Sequence, residues 1–444
     1  MHSPNIQNFA DPSMTKRFPV RYLVVIVTFT LTVLLYVDRA CISAAKDDIT
    51  SALGLNMTEF GWIMAVFTLG YALFQTISGR FADHVGARVS ITSIVSIWSV
   101  LTALTAAAWS FSSILIIRFL FGAGEAGAFP SLSKVIYTWF PTSERGIVQG
   151  INFSGSRIGA AFALPIVAGL VDSIGWRYTF VFFGVFGVIF SIFWFLWFRD
   201  RPESHSMVQI AERDHIISTR QSSSLIVRPG KLSMSRILGS KNMWFIMVQY
   251  VCCNFTFYFT LTWMYSYIRE TYDLGDLEAG LYSAVPLIAG AVGNWISGAW
   301  LDSIYKKGQL KLSRQIPAIV GFALAGVGML MVSQQTTAIT AIIFLSIAVL
   351  GADMTLSPSW AFCIDIGKEH SATVSGVMNM AGNLGAFVTI IAFPYLLKWT
   401  GSPFSFFIVS AALGLIAIIM WLLMNPHRTI EEKPELIAQA CIWH

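Results

Sequence analysis

Charge is what this sequence has least of. Asp, Glu, Lys and Arg make up 12% of its 444 residues, about half the share usual in soluble domains. A soluble fold of this size would have too little charge to cover its outer faces, so that class is excluded. Cysteine is sparse as well: Cys41, Cys252, Cys253, Cys363 and Cys441. Their number is odd and no spacing suits a disulfide framework or a metal, so they read as small apolar fillers. No metal-ligand cluster and no nucleophile with a matched base is legible, which argues against a hydrolase or transferase. The first 15 residues lack the basic start and small-residue cleavage site of a signal peptide, and the first apolar segment therefore reads as retained.

Hydrophobic residues, by contrast, make up 55% of the chain. A helix needs about 20 of them to cross the hydrocarbon of a bilayer. Twelve such spans are legible, at roughly 20–44, 58–79, 89–108, 111–138, 146–171, 176–198, 241–268, 278–300, 314–333, 336–364, 371–397 and 402–424. The longest polar stretch, containing "TRQSSSLIVRPGKLS", divides them six and six. The expectation is an all-α polytopic membrane protein with an N-terminal half over 1–198, a cytoplasmic linker over 199–240 and a C-terminal half over 241–444.

The basic residues set the orientation. With the N-terminus in the cytoplasm, only Lys46, Arg177, Arg269 and Lys398 fall outside; Arg39, Arg118, Lys134 and Arg157 lie within spans, and the other 21 of the 29 Lys and Arg are cytoplasmic. That bias puts both termini inside. It also accounts for the net charge of +5 without any nucleic-acid partner. The partners expected are the lipid bilayer and a small transported molecule, with the chain acting as a monomer. Short loops and tails suggest a bacterial inner membrane.

The two halves repeat weakly. A shift of 219 brings Gly61 onto Gly280, Ser78 onto Ser297, Gly79 onto Gly298 and Asp83 onto Asp302; a shift of 226 brings Gly150 onto Gly376 and Gly159 onto Gly385. Duplicated halves of this kind commonly enclose a midplane site and rock about it. The loop after the second span, "GRFADHVGARVS", carries Gly79, Arg80, Asp83, Gly86 and Arg88 in the pattern Gly-basic-x-x-Asp-x-x-Gly-x-basic. It resembles the signature loop of the major facilitator superfamily, which implies a conformational latch at the cytoplasmic ends of the helices.

Ionisable residues inside spans are costly and usually mark a pathway or proton relay. Asp38 and Arg39 are adjacent in the first span, so they point about 100° apart. One can face a cavity while the other faces a neighbouring helix. Tyr36 and Arg39 share a face. In the fourth span, Arg118 and Glu125 are two turns apart on one face, with Gly122 between them. A carboxyl group held between burial and a nearby Arg can load and release protons; a permanent salt bridge is the plain alternative. Further polar residues on plausible pore faces are Tyr71, Gln75, Asn254, Tyr258, Asn379 and Asn383, together with Ser357, Ser359 and Trp360 around Pro358. Pro358 removes a backbone bond and frees a carbonyl. Each of these could equally be helix-helix glue. Asp353 and Arg157 are ambiguous and take no part in this reading.

"YVDR", "GEAGAFPS", "TWFPTSER", "FTLTWMYSY" and "GVMNMAGNLG" are similar to segments of the anion:cation symporters, a major facilitator subgroup that includes bacterial galactonate and glucarate transporters, animal sialin and the vesicular glutamate carriers. The likeness spans nearly the whole chain. It implies that Arg39 holds a substrate carboxylate with help from Tyr36 and Tyr71. It also implies that Asp38 and Glu125 carry protons, that Arg118 tunes Glu125, and that Ser357, Ser359, Trp360 and Asn379 meet substrate hydroxyls. Two positions depart from the subgroup: Ser156 stands where it has a Gln that contacts sugar hydroxyls, and Tyr265 stands where it has a Pro. The expected function is a proton-coupled symporter importing a sugar acid (hexonate, aldarate or hexuronate), with protons as the coupling ion, no other cofactor and no metal. A sodium-coupled or uncoupled carrier is the rival mechanism, and a transporter-like nutrient sensor the rival class; the short linker and tail argue against the sensor.

Overall fold

The computed structural model describes residues 18–221 and 232–430. The segment read for a signal peptide, most of the Ser-rich part of the linker, and Cys441 lie outside the described residues. Among those described there is no strand. The first half comprises α1 (Val20–Ala44), α2 (Lys46–Leu53), α3 (Met57–Val85), α4 (Ala87–Thr105), α5 (Phe111–Glu125), α6 (Ala128–Trp139) and α7 (Arg145–Trp197). Two short helices follow, α8 (Ile210–Thr219) and α9 (Met234–Gly239). The second half comprises α10 (Lys241–Thr262), α11 (Met264–Tyr272), α12 (Asp276–Lys306), α13 (Leu310–Val332), α14 (Ala338–Met354), α15 (Leu356–Gly367), α16 (Ser371–Thr400) and α17 (Phe404–Leu423).

Ten apolar helical runs among the described residues are long enough to cross a bilayer, and two of them turn back within their length. The helix α7 reverses at Gly175, whose φ of 79° lies where a side chain is strained; a Cβ there would meet nothing within 4 Å, so conformation rather than crowding requires the glycine. The run Ala338–Thr400 turns at the 3₁₀ segment Lys368–His370. Twelve passes result, and the chain is a multi-pass membrane protein. The tenth pass breaks at Thr355, and Pro358 sits in the first turn of α15. The carbonyl that Pro358 leaves free belongs to Met354, and it accepts from the Ser297 hydroxyl of α12 at 2.5 Å. That carbonyl is helix-to-helix glue and is not open to a ligand.

The repeated residues make the joints between the halves. A Cβ on Gly79 (α3) would collide with the carbonyl of Ala372 (α16), and one on Gly376 would come within 2.7 Å of the carbonyl of Gln75. At the second joint, Gly298 (α12) abuts the carbonyl of Gly146 (α7), and Gly150 abuts that of Asn294. Only glycine lets backbones approach so closely. Beside each joint a carboxylate caps a helix of the other half. Asp83 accepts from the Thr373 amide at 2.7 Å, the Thr373 hydroxyl at 2.6 Å and the Ala372 amide at 3.2 Å. Its repeat partner Asp302 accepts from the amides of Gly146 at 2.9 Å and Ile147 at 2.8 Å. Both use the positive end of a helix, where unpaired N–H groups favour an anion.

These joints lie at the linker end of the bundle. Asp365 adds a further tie there, accepting from Arg145 at 3.0 Å and Arg314 at 2.7 Å, and Lys134 donates to the Glu369 carbonyl. At the far end the seam is open. Gly61 and Gly280 lie 18 residues, or five turns, before Gly79 and Gly298 on the same helix faces, and a Cβ on either would meet nothing within 4 Å. The structure is therefore closed at the linker end and parted at the other.

Candidate functional site

Between the halves lies a small cavity of about 50 Å³, room for a few water molecules. Its lining comes from both halves: Tyr36, Arg39, Tyr71, Ser156 and Arg157 on one side, and Asn254, Tyr258, Trp360, Asn379 and Asn383 on the other. Phe129, Phe153 and Trp360 close it toward the linker end, with ring centroids 5.2–5.8 Å apart.

Arg39 is the cation at the centre. Helix α1 turns it into the cavity and turns Asp38, 1% exposed, into the protein, as a 100° step per residue requires. The Arg39 guanidinium sits in an aromatic box, 4.9 Å from the Tyr36 ring, 5.2 Å from Phe67 and 4.6 Å from Tyr71. Its Nε donates to Glu125 Oε1 at 2.6 Å, and Nη2 is 2.5 Å from the same oxygen. Glu125 thus takes Arg39 on α1 as its partner, not Arg118 on its own helix. Arg118 lies 4.6 Å from the Phe121 ring and 5.4 Å from Phe67. It is near enough to feel Asp38 and Glu125, but among the described residues its Nε and Nη1 make no hydrogen bond, and Asp38 has no cation bound to it, only the Trp98 indole beside it. A carboxylate and a guanidinium left so poorly paired inside a membrane are costly, and a proton or a ligand would change that balance.

The remaining expected residues divide. Tyr36, Tyr71, Ser156, Trp360 and Asn379 line the cavity. The Ser156 hydroxyl is spent on its own helix, donating to Phe153 O at 2.6 Å. Trp360 donates to the Tyr250 hydroxyl at 2.9 Å. Ser357 and Ser359 are fully buried and do not line it; Ser359 donates to Thr355 O at 2.7 Å and accepts from Gln249 at 3.1 Å. Of the latch residues, Gly79 and Asp83 touch the other half. Gly86 makes the positive-φ turn (86°) between α3 and α4. Arg88 does not reach the other half: its amide donates to Asp200, at the start of the linker, at 2.9 Å and its Nε to Phe195 O at 2.7 Å. Arg80 is exposed. The two residues that the sequence leaves ambiguous, Arg157 and Asp353, form a buried bidentate pair at the cavity, with N···O distances of 2.7 and 2.5 Å.

A family model described as Major Facilitator Superfamily matches residues 28–390. Among curated proteins, the chain is 30% identical over 423 residues to a "probable sulfoacetate transporter" of Cupriavidus necator, covering 95% of this chain and 98% of that one. It is 30% identical over 445 residues to a "probable galactarate/D-glucarate transporter" of Escherichia coli, covering 96% and 98%. It is 26% identical to a hexuronate transporter of Bacillus subtilis over 93% and 97%. Among solved structures, a proton:xylose symporter is 16% identical and superposes with a TM-score of 0.70 over 91% of this chain and 96% of that one, a likeness of fold. The chain belongs to the Major Facilitator Superfamily, within its sugar-acid group of anion:cation symporter type, and is a transporter, not an enzyme.

Proposed function

We propose that the protein imports a small organic anion together with protons by alternating access, and that the anion is a sugar acid: a hexonate, aldarate or hexuronate. The observation that carries this reading is the Arg39–Glu125 pair at 2.5–2.6 Å on the cavity wall. A titratable carboxylate occupies the one cation in the aromatic box. While Glu125 is ionised, Arg39 has no call for a substrate carboxylate. A proton on Glu125 frees the guanidinium, and the incoming carboxylate takes its place in a charge-assisted, bidentate contact. Substrate and proton thus favour each other's binding, and by linkage the effect is reciprocal. Asp38, buried between Arg118 and the Trp98 indole, is the second proton carrier. Tyr36 and Tyr71 orient the carboxylate end; Trp360 and Asn379 meet the far end.

In this reading the open end faces the outside, and the linker and both termini face the cytoplasm of a bacterium. The halves over 1–198 and 241–444 rock about the cavity within a single chain. The positive-inside bias and the acids named for the relatives support it. The test is uptake of a sugar-acid panel into proteoliposomes with and without an inward proton gradient. Gradient-stimulated uptake of one member is the expected result. Uptake that follows sodium at fixed pH, or ignores both gradients, refutes proton coupling.

A further inference from the structure

Two cations line the central cavity, Arg39 and Arg157, and the function above uses the first. The other is Arg157 of α7. Its Nε donates to Asp353 Oδ2 at 2.7 Å and its Nη2 to Oδ1 at 2.5 Å, so a cation of one half is gripped by a carboxylate of the other. Their side chains are 3% and 1% exposed. The place is built for charge. The Phe257 ring lies 4.0 Å from the guanidinium, and only a glycine at 290 leaves room for the Asp353 carboxylate. Buried ion pairs are weak devices for stability, since well-packed apolar residues often do as well or better. One that borders a transport cavity calls for another explanation.

The pairs at Arg39 and Arg157 have the same form. Each is a cavity-lining arginine of the first half held by a carboxylate: Glu125 in one case, Asp353 in the other. Tyr36 stands between them, with Arg39 against its ring at 4.9 Å and Arg157 beside its hydroxyl. We propose that Arg157 is a second anion-binding residue and that the transported molecule is a dianion, one anionic group on Arg39 and the other on Arg157. This deepens the functional reading above and rests on it.

Charge counting favours the dianion. With Glu125 and Asp353 ionised, the two arginines are neutralised. A proton on each carboxyl releases both guanidinium groups, and a dianion restores neutrality. A monoanion fills one released guanidinium only: with both carboxyls protonated it leaves the other cation unpaired, which is strongly disfavoured, and with Asp353 still ionised it gains no contact from Arg157. The groups facing Asp353 are Arg157 from α7 and the Cys253 thiol from α10. Those facing Glu125 are Arg39 and Asp38 from α1, Tyr71 from α3, Tyr258 from α10, and Arg118 on its own helix.

The experiment compares matched acids for binding to the purified full-length protein and for counterflow: D-glucarate against D-gluconate, and sulfoacetate against glycolate. For whichever pair binds, the wild type is expected to prefer the dianion by at least about tenfold, the scale of one charge-assisted bidentate contact. The double variant Arg157→Gln/Asp353→Asn, which removes both charges together, is expected to erase that preference while retaining the monoanion. Arg157→Lys, with charge but no fork, should retain part of it. A purely structural pair would change both acids by the same factor. Wild type that handles a monoanion as well as its dianionic partner, or a double variant that weakens both equally, overturns the inference and leaves anion transport standing. Failure of every acid to bind overturns both.

Discussion

Replacing Asp83 by Ala should open the linker-end seam. Its carboxylate accepts three hydrogen bonds from the first turn of α16, at 2.6, 2.7 and 3.2 Å, and Lys134 stands 3.7 Å away. Bonds to charged groups contribute about 1.5–3 kcal/mol each, net of exchange with water. Counting only the two short bonds, at the lower figure, gives about 3 kcal/mol in all. That is about a hundredfold in the ratio of closed to open seam. Spin labels at the exposed positions 80 and 307, read by pulsed electron resonance, report the separation directly. Asp83→Ala should populate a longer distance, and adding Asp302→Ala, which removes the caps of Gly146 and Ile147, should increase it further. Asp214→Ala is the control, because that carboxylate is exposed and, among the described residues, pairs with its neighbour Arg213. An Asp83→Ala distribution no different from that of Asp214→Ala would refute the latch.

Three further outcomes follow from the same geometry. Gly79→Ala should disturb the seam while Gly61→Ala, five turns away on the same face, should not, because only the first Cβ meets backbone; the same spin labels decide it. Gly175→Ala should lower thermal stability by about 1–3 kcal/mol, the cost of an L residue at positive φ with extended ψ, and leave the seam distances unchanged. His205 packs edge-on to Trp139 and Trp197; loss of water and the nearby Arg199 charge lower its pKa. Its contribution to stability is therefore full above about pH 6.5, the ordinary histidine value, and falls as acidification approaches the lowered native value. The melting temperature of His205→Gln should vary less between pH 7.5 and 5.5 than that of the wild type.

Much of this was legible before any coordinates. Span length fixed the class, and two constant offsets showed the duplication, whose residues the structure places at the joints: Asp83 and Asp302 differ by 219, and the amides they cap, Ala372 and Gly146, differ by 226. The orientation of Asp38 away from Arg39 followed from the helical step alone. Pairings between distant spans were not legible, because a sequence gives each buried charge a helix face but not its neighbour. Glu125 was read with Arg118, on its own face, yet its partner came from α1. Arg157 and Asp353 are 196 residues apart, and a charge in a span of each half was the one signal that could have joined them. Pro358 does free a carbonyl, but Ser297 of another helix takes it, which no local pattern could show.

The central claim is that Glu125 and the substrate carboxylate compete for Arg39, and Glu125→Gln tests it most directly. The variant mimics the protonated acid, so Arg39 stays available and substrate no longer needs a proton to enter. In proteoliposomes it should retain counterflow of the transported acid, with a binding affinity that no longer depends on the Glu125 proton, and fail to concentrate that acid under an inward proton gradient. A Glu125→Gln protein that still accumulates substrate against its gradient would contradict the account.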